Sequence, residues 1–363
     1  MRYLIAAACF IVASVLTFVV MYTDFKPSEW ASVVYTKEAA ERTPRSPIKI
    51  LLWTKVFNSW EEQFPSNRGN LIVYNHCKVP CVVTSNRHVL RTADAVLMHD
   101  RDIDGNDLPD YRAAHQRWVY WNWESPTNSR LKQIEKVKDV FNWTYTYRPD
   151  SDVPYPYFYV RKRAQINGSA PPLAASTNRS KLAVWAVSNC KASSGRLEFV
   201  RELRKHIPVD IYGACGDLKC PRGPECLVHF GNTYFFYMGL ENSICPGYIT
   251  EKFYNPLLHG MVPVVFGNYS DVGPPGSYIN ALEFPSPKHL ATYLEAVAAD
   301  PSRYKEYLAW RTTYDVVPNN FTDHCTLCEA LYKARPEDRK VYKDIIHWWH
   351  GNGSLCTSWK PET

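Results

Sequence analysis

From residue 48 onward, short apolar runs alternate with amphipathic ones. Runs rich in Val, Ile and aromatic residues, bounded by turn residues, predict strands at 49–56, 95–99, 117–123, 182–188, 209–212, 234–240 and 262–266. Apolar positions at helical spacing predict helices over 128–140, 195–206, 249–258, 287–299 and 302–310. In the fourth of these, Leu290, Ala291, Leu294, Val297 and Ala298 fall at helical spacing. Strands alternating with helices imply βαβ units and parallel sheets, an α/β fold. The stretch NGSAPPLAASTNR at 167–179 interrupts this pattern with linker composition and divides the region into halves at 48–166 and 180–363.

The first 47 residues follow a different pattern. Residues 3–22 form an uncharged, nearly unbroken apolar run of 20 residues, about what a helix needs to cross a bilayer. Arg2 and the amino terminus put positive charge before it, which predicts a cytosolic tip and a transmembrane anchor over 1–22. A cleaved signal peptide is the competing reading; the run is long for one, and no small-x-small site precedes Thr23. Residues 23–47, polar and Pro-punctuated, read as a stem.

Two further features agree with a lumenal fate. Sequons occur at Asn142, Asn167, Asn178, Asn268, Asn320 and Asn352, each an acceptor for N-glycosylation if exposed to that machinery. Of 11 cysteines, Cys9 lies in the apolar run and the rest lie beyond it, an even number that suits a disulfide framework in an oxidising compartment. The Cys325-x-x-Cys328 pair also has zinc or redox spacing, with Cys77-x3-Cys81 and His76 or His324 as the remaining ligands of such a site. We expect disulfides: Cys77 and Cys81 with Cys325 and Cys328, tying the two halves together, and Cys190 with Cys245, which flank two strands of the second half. A net charge of +6 permits an anionic nucleotide, and no basic run interleaved with aromatics suggests nucleic acid.

The sharpest chemical signal is YFFYMGLENSICPGYITEKFYNPLLHG at 234–260, a strand–loop–helix. Ligands of open α/β sheets bind beyond the carboxyl ends of strands, which is where Glu241, Asn242 and Ser243 fall. Tyr248, Glu251 and Lys252 cluster at the helix start, where free N–H groups and a partial positive charge suit a diphosphate. Val187-Ser188-Asn189-Cys190 ends another strand, and Arg196 opens the next helix; Arg binds phosphate oxygens bidentately. A surface Glu-Lys pair and a solvated Arg are the plain alternatives. In the first half, Glu124 ends a strand between Trp123 and Ser125-Pro126, a place where partial burial makes a carboxylate a better base. Asp150-Ser151-Asp152 has the spacing of an Asp-x-Asp metal motif, but the turn at Pro149 accounts for these acids and no metal site is expected.

ENSICPGYITEKFYNPL resembles the signature of the α1,3/α1,4-fucosyltransferases, glycosyltransferase family 10. WESPTNS, TYRPDSDVPYPY, AVSNC followed by GRLEFVREL, and the late CTLC resemble further blocks of that family in the same order, over 48–359. The resemblance implies a GT-B-like architecture of two Rossmann-like lobes, an acceptor-side lobe at 48–166 and a donor lobe at 180–363 that ends in a disulfide-rich tail. It places the general base on Glu124 and the GDP-fucose contacts on Tyr147, Ser188, Asn189, Arg196, Glu241, Asn242, Tyr248, Glu251 and Lys252. Arg196 and Lys252 match the pair that contacts the pyrophosphate. It further implies an inverting reaction onto O3 of a GlcNAc residue in glycoprotein glycans, in the Golgi membrane with the catalytic part lumenal. No metal is required, although a divalent ion such as Mn can be stimulatory. Pro246-Gly247 departs from the polar pair of many relatives, and Pro256 is expected to bend the helix after Tyr248. The segment 210–226 and the tail 348–359 resemble invertebrate and plant enzymes acting on the innermost GlcNAc of N-glycans, whereas WESPTNS resembles the Lewis-type enzymes acting on antennal GlcNAc, so the acceptor subtype stays open, with an invertebrate member of the family favoured. A non-catalytic lectin-like protein on the same fold and a transferase of another nucleotide sugar are the alternatives.

Overall fold

A computed structural model of the chain describes residues 46–64, 70–129, 137–163, 179–220, 223–267, 269–335, 340–351, 353 and 355–361. The expected anchor at 3–22 and nearly all of the stem lie outside them, as does most of the linker. Among the described residues no helix is long and apolar enough to cross a membrane.

Two sheets organise the chain. The first contains β1 (Ile48–Leu52), β2 (Leu71–Tyr74), β3 (Cys81–Thr84), β4 (Ala95–His99), β5 (Arg117–Asn122), β6 (Trp143–Thr146) and β7 (Val153–Pro154), in the order β2-β3-β1-β4-β5-β6-β7. All its pairings are parallel except β2 with β3. After β8 (Phe158–Lys162), the second sheet uses β9 (Lys181–Ala186), β10 (Val209–Tyr212), β11 (Tyr234–Met238), β12 (Val262–Val265) and β13 (Ile279–Asn280), all parallel, in the order β10-β9-β11-β12-β13. β8 pairs antiparallel with β14 (Tyr314–Pro318) in a separate ribbon.

β1, β4 and β5 are buried along nearly their whole length, which is why they read as continuous apolar runs rather than alternating ones. In the second sheet the chain moves from β9 outward to β10, then returns past β9 to β11. The order therefore reverses between β9 and β11, and ligands of doubly wound sheets bind in the crevice at such a reversal.

The helices are α1 (Arg196–Leu203), α2 (Pro224–Thr233), α3 (Glu251–Leu258), α4 (Pro287–Ala299), α5 (Pro301–Glu306), α6 (Cys325–Lys333) and α7 (Ile345–His350). α1, α4 and the second sheet close one core around Phe199, Leu203, Phe236, Val264, Leu290 and Leu294. The sequence places all of 180–363 in one lobe, but the structure returns the tail to the first sheet. Leu327, Cys328 and Leu331 of α6 join the core of Ile50, Leu97 and Trp121, and Ile345 and Trp349 of α7 join that of Met98 and Tyr120. Apolar faces on both sides of a parallel sheet need cover, and the C-terminal helices supply part of it.

Cys77–Cys325 and Cys81–Cys328 form as expected, though they staple α6 to the first sheet rather than joining the two halves. The expected Cys190–Cys245 bond is replaced by Cys190–Cys215 and Cys245–Cys356, and Cys220–Cys226 completes the set. β9 and β10 run parallel in register, Val209 beside Ala183 and Tyr212 beside Ala186, so the turns that follow them bring Cys190 to Cys215. The bridge between Ile244 and Thr357 draws the tail alongside Cys245.

The helix expected over 128–140 lies partly outside the described residues; its described ends are a 3-10 turn at Pro126–Asn128 and a simple turn at 138–140. Of the sequons, Asn320 is exposed, and Asn167, Asn178, Asn268 and Asn352 lie outside the described residues. Asn142 is corrected: it is fully buried, its Oδ1 accepting from Trp118 N–H at 3.0 Å and from Arg112, its Nδ2 donating to the Lys340 carbonyl at 2.7 Å. A side chain serving the core in this way cannot carry a glycan in the folded protein.

Candidate active site

The reversal between β9 and β11 gathers much of the expected donor set. Ser188 and Asn189, both exposed, follow β9, and Glu241 and Asn242 follow β11. Gly195 begins α1 at a φ of 76°, where a Cβ would come within 2.2 Å of the Trp359 carbonyl oxygen; only glycine tolerates both conditions. The next residue, Arg196, is 4% exposed and spans the crevice floor, donating from Nη1 to the Leu240 carbonyl at 2.8 Å and from Nη2 to the Asn189 carbonyl at 3.1 Å. Its Nε is buried with no hydrogen-bond partner among the described residues. Both partners are neutral carbonyls, so among the described residues no carboxylate is hydrogen-bonded to this guanidinium. Burial pulls its pKa below the ordinary value, with Glu241 opposing; an arginine stays charged regardless.

α3 begins with a second cation. Thr250 caps the helix and donates its backbone N–H to Glu241 Oε1 at 2.7 Å and its hydroxyl to the same oxygen at 2.8 Å. Lys252 Nζ donates to Thr250 Oγ1 at 2.9 Å and to Glu251 Oε1 at 2.7 Å, and lies 3.3 Å from Glu241 Oε2. Burial pulls the Lys252 pKa down, but Glu241 and Glu251 outweigh it and hold the ammonium above its ordinary value. Burial pushes the Glu241 carboxyl up against the pull of Lys252. Glu241 is therefore not a surface contact: at 1% exposure it sits beneath the helix start and acts through Thr250 and Lys252. Pro256 lies inside α3 without ending it. Proline gives no N–H to the carbonyl four residues back, here that of Lys252, which faces Gly239; a Cβ on Gly239 would stand 2.8 Å from that oxygen.

Glu124 approaches from the first sheet. It follows β5, its backbone N–H donates to Asn122 Oδ1 at 2.8 Å, and its side chain is half-buried. Trp123 beside it packs at a tilt against Tyr157, 4.9 Å between ring centroids, and Tyr157 meets Tyr248 at 6.1 Å. Tyr147, one residue past β6, the neighbour of β5, meets Tyr248 at 5.1 Å. Burial pushes the Tyr248 phenol well up, with Tyr157 and the charges of Glu124, Glu241 and Glu251 adding to the shift. A cavity of about 250 Å³ opens alongside, lined by Tyr147, Arg148, Cys245, Pro246 and Gly247.

Sequence reasoning missed Thr250, although Thr before Glu-Lys at a predicted helix start is an N-cap signal. It also missed Tyr157 and Trp349, whose rings meet Tyr248 and Tyr147; no local signal marks them. Asp150 and Asp152 are committed elsewhere. Asp150 pairs with Arg148 at 2.6 Å, and Asp152 accepts from Thr144 N–H at 2.9 Å and Tyr342 hydroxyl at 2.8 Å. His76, Cys77, Asp323 and Cys325 lie together, but the two cysteines are joined in a disulfide, which removes the thiolates a zinc site would need.

Two largely parallel α/β sheets, with a carboxylate at the end of one and two cations at the reversal of the other, form an arrangement suited to a glycosyltransferase. The family model described as "Fucosyltransferase, N-terminal" matches residues 45–158, and that described as "Glycosyltransferase family 10 (fucosyltransferase) C-term" matches 176–348. The chain belongs to glycosyltransferase family 10, the fucosyltransferases. "Alpha-(1,3)-fucosyltransferase C" of Drosophila melanogaster is 33% identical over 348 residues, covering 87% of this chain and 80% of that protein. "Glycoprotein 3-alpha-L-fucosyltransferase A" of the same organism is 37% identical over 294 residues, 77% of this chain and 56% of that protein, so the chain spans little more than half of that relative. "4-galactosyl-N-acetylglucosaminide 3-alpha-L-fucosyltransferase FUT5" of Homo sapiens is 35% identical over 324 residues, 85% of this chain and 81% of that protein. The crystal structure of an α1,3-fucosyltransferase with GDP-fucose has the same fold, at a TM-score of 0.53 and 16% identity over 86% of this chain and 96% of that one.

Proposed function

We propose that the chain is an inverting α1,3-fucosyltransferase of the GT-B kind, moving L-fucose from GDP-β-L-fucose to O3 of a GlcNAc residue in glycoprotein glycans. The observation that carries this reading is the meeting of the two sheets' ends beside the expected base: Ser125, directly after Glu124, lies 2.7 Å from Ser243 Oγ, and Trp123, directly before it, packs on Tyr157, whose ring meets Tyr248 near the start of α3. Glu124 takes the proton of the acceptor 3-hydroxyl, and that oxygen attacks C1 of fucose. The bond from C1 to the β-phosphate oxygen breaks on the opposite face, so the β-linked donor gives an α-linked product. The negative charge gained by GDP falls to Arg196, Lys252 and the N–H groups at the start of α3. Tyr147, Ser188, Asn189, Asn242, Tyr248 and Glu251 line the donor side; Asn242 Oδ1 is buried with no hydrogen-bond partner among the described residues. Two fixed cations suit a reaction with no required metal. In this reading the run at 3–22 anchors the enzyme in the Golgi membrane as a single-pass type II protein.

Replacing Glu124 by Gln tests the assignment. Fucosyl transfer is expected to fall by at least about 100-fold with GDP binding intact; wild-type turnover would refute the base. Mass spectrometry of products from a chitobiose-core glycopeptide and from N-acetyllactosamine, side by side, assigns the acceptor.

A further inference from the structure

A cluster of uncharged hydroxyls joins the two halves of this site. Ser243, one residue past Asn242 and 1% exposed, meets Ser125 Oγ at 2.7 Å and Thr127 Oγ1 at 2.5 Å. Ser125 and Thr127 are 3.0 Å apart, and Asn128 Nδ2 donates to Ser125 Oγ at 3.1 Å. Ser125, itself fully buried, is the residue directly after Glu124. The donor side is tied into the same seam. Ser194 donates its hydroxyl to the Glu241 carbonyl at 2.7 Å and its N–H to the Asn242 carbonyl at 3.2 Å, two residues before Arg196. Ser193 Oγ lies 3.5 Å from Thr127 Oγ1. The segments that carry the base, the buried carboxylate and the guanidinium therefore meet along one seam: Ser243 joins the first two directly, and Ser193 and Ser194 tie the third to Thr127 and to the Glu241 and Asn242 carbonyls.

We propose that Ser243 is a positioning residue: its contacts with Ser125 and Thr127 hold the Glu124 loop in register with the Arg196 and Lys252 side of the site. The inference rests on the assignment of Glu124 as base. Its physical basis is the shortness of the side chains. Hydroxyls donate and accept at once, so the trio satisfies itself when buried, and few rotamers are lost in ordering it. In-line displacement needs the base, the acceptor oxygen and the leaving group on one axis, and a displacement of about 1 Å costs up to about 100-fold in rate. Apart from Tyr147, the donor contacts belong to the second half, which keeps their positions without this register.

The test compares Ser243→Ala, Thr127→Ala and Thr127→Ser in the full chain with GDP-fucose and whichever of the two acceptors the wild type uses. Transfer turnover, the KM for GDP-fucose and the slow hydrolysis of GDP-fucose without acceptor are read together. The expected result for Ser243→Ala is a fall in transfer of about 10- to 100-fold, with KM and hydrolysis within about twofold of wild type. Thr127→Ala falls in the same sense by less, and Thr127→Ser keeps transfer. Transfer unchanged in folded Ser243→Ala, or transfer and hydrolysis falling together, overturns the proposal. Should Ser243→Ala not fold, the exposed Thr127 pair decides by the same criteria. Glu124→Gln is run beside them: if it transfers normally, the base assignment fails, whereas if it is inactive and the Ser243 and Thr127 variants are normal, the positioning role alone fails.

Discussion

Glu241 and Lys252 form a pair of unequal exposure: Oε2 and Nζ lie 3.3 Å apart, with the carboxylate side chain 1% exposed and the lysine side chain 21%. The anion is sealed beneath the site and the cation reaches its surface. In the proposed reading, a donor diphosphate meets a lysine whose charge is held by this buried partner.

Removing that partner should be costly. Glu241→Ala leaves Lys252 and the Thr250 N–H without their buried acceptor, and a loss of about 3 kcal/mol in urea unfolding is expected. Glu241→Gln, which retains an acceptor oxygen for Thr250, should recover a substantial part of the stability and less of the GDP affinity.

Thr250→Ala removes the cap of α3 and a hydroxyl that touches both charged groups. We expect about 1 kcal/mol of lost stability, together with a raised KM for GDP-fucose. Thr250→Ser should behave as wild type in both measurements.

His324 is fully buried among the rings of Tyr74, Trp121 and Tyr145, and burial, against the pull of Asp323, pushes its pKa from 6.5 down to about 4. The fold holds it neutral. Below pH 6.5 the unfolded chain binds the proton that the folded chain refuses, so stability falls as pH falls. The contribution is fully present above the unfolded value and lost by about pH 4, amounting to about 3 kcal/mol. Unfolding midpoints measured across that window should drop for the wild type and show a shallower slope for His324→Phe.

The two bonds from Cys77 and Cys81 to α6 close loops of 248 and 247 residues. Replacing Cys77 and Cys325 together by Ser should lower stability by about 2–5 kcal/mol. α6 covers one face of the first sheet, so fucosyl transfer should be lost at lower temperature as well, which an activity-versus-temperature curve would record.

Peptide mapping after expression in a glycosylating host should find no glycan on Asn142. Asn142→Gln should destabilise the fold by about 1–3 kcal/mol, because three buried hydrogen bonds are disturbed. A variant made to remove a glycan would thus act on the core.

Strands at 95–99 and 209–212 were legible to the residue, since each is a short apolar run framed by turns. The donor segment was legible as a strand, loop and helix start, because Gly, Thr and charged residues stand where those elements need them. β2 and β3 escaped notice: each has only four residues, and β2 buries alternate side chains only because β3 and the core lie on one side of it. α6 and α7 are short helices whose apolar residues acquire meaning from the sheet they cover. Glu241 showed the same limit, since its position in the motif did not reveal that it lies beneath the helix and not on its surface.

The sequence by itself determined the class of chemistry. Local preferences build the strand ends and helix starts, and residue types such as Arg196, Lys252 and Glu124 carry their charge and reach wherever they are placed. Only the tertiary structure decided what meets what. Cys190 joins Cys215 because β9 and β10 are neighbours in register, Asn142 is a core residue because Trp118, Arg112 and Lys340 surround it, and Ser243 reaches Ser125 because two sheets bring their ends to one seam. Each of these contacts joins residues far apart or on different elements, and such pairings are set by packing the whole chain rather than by any window of it.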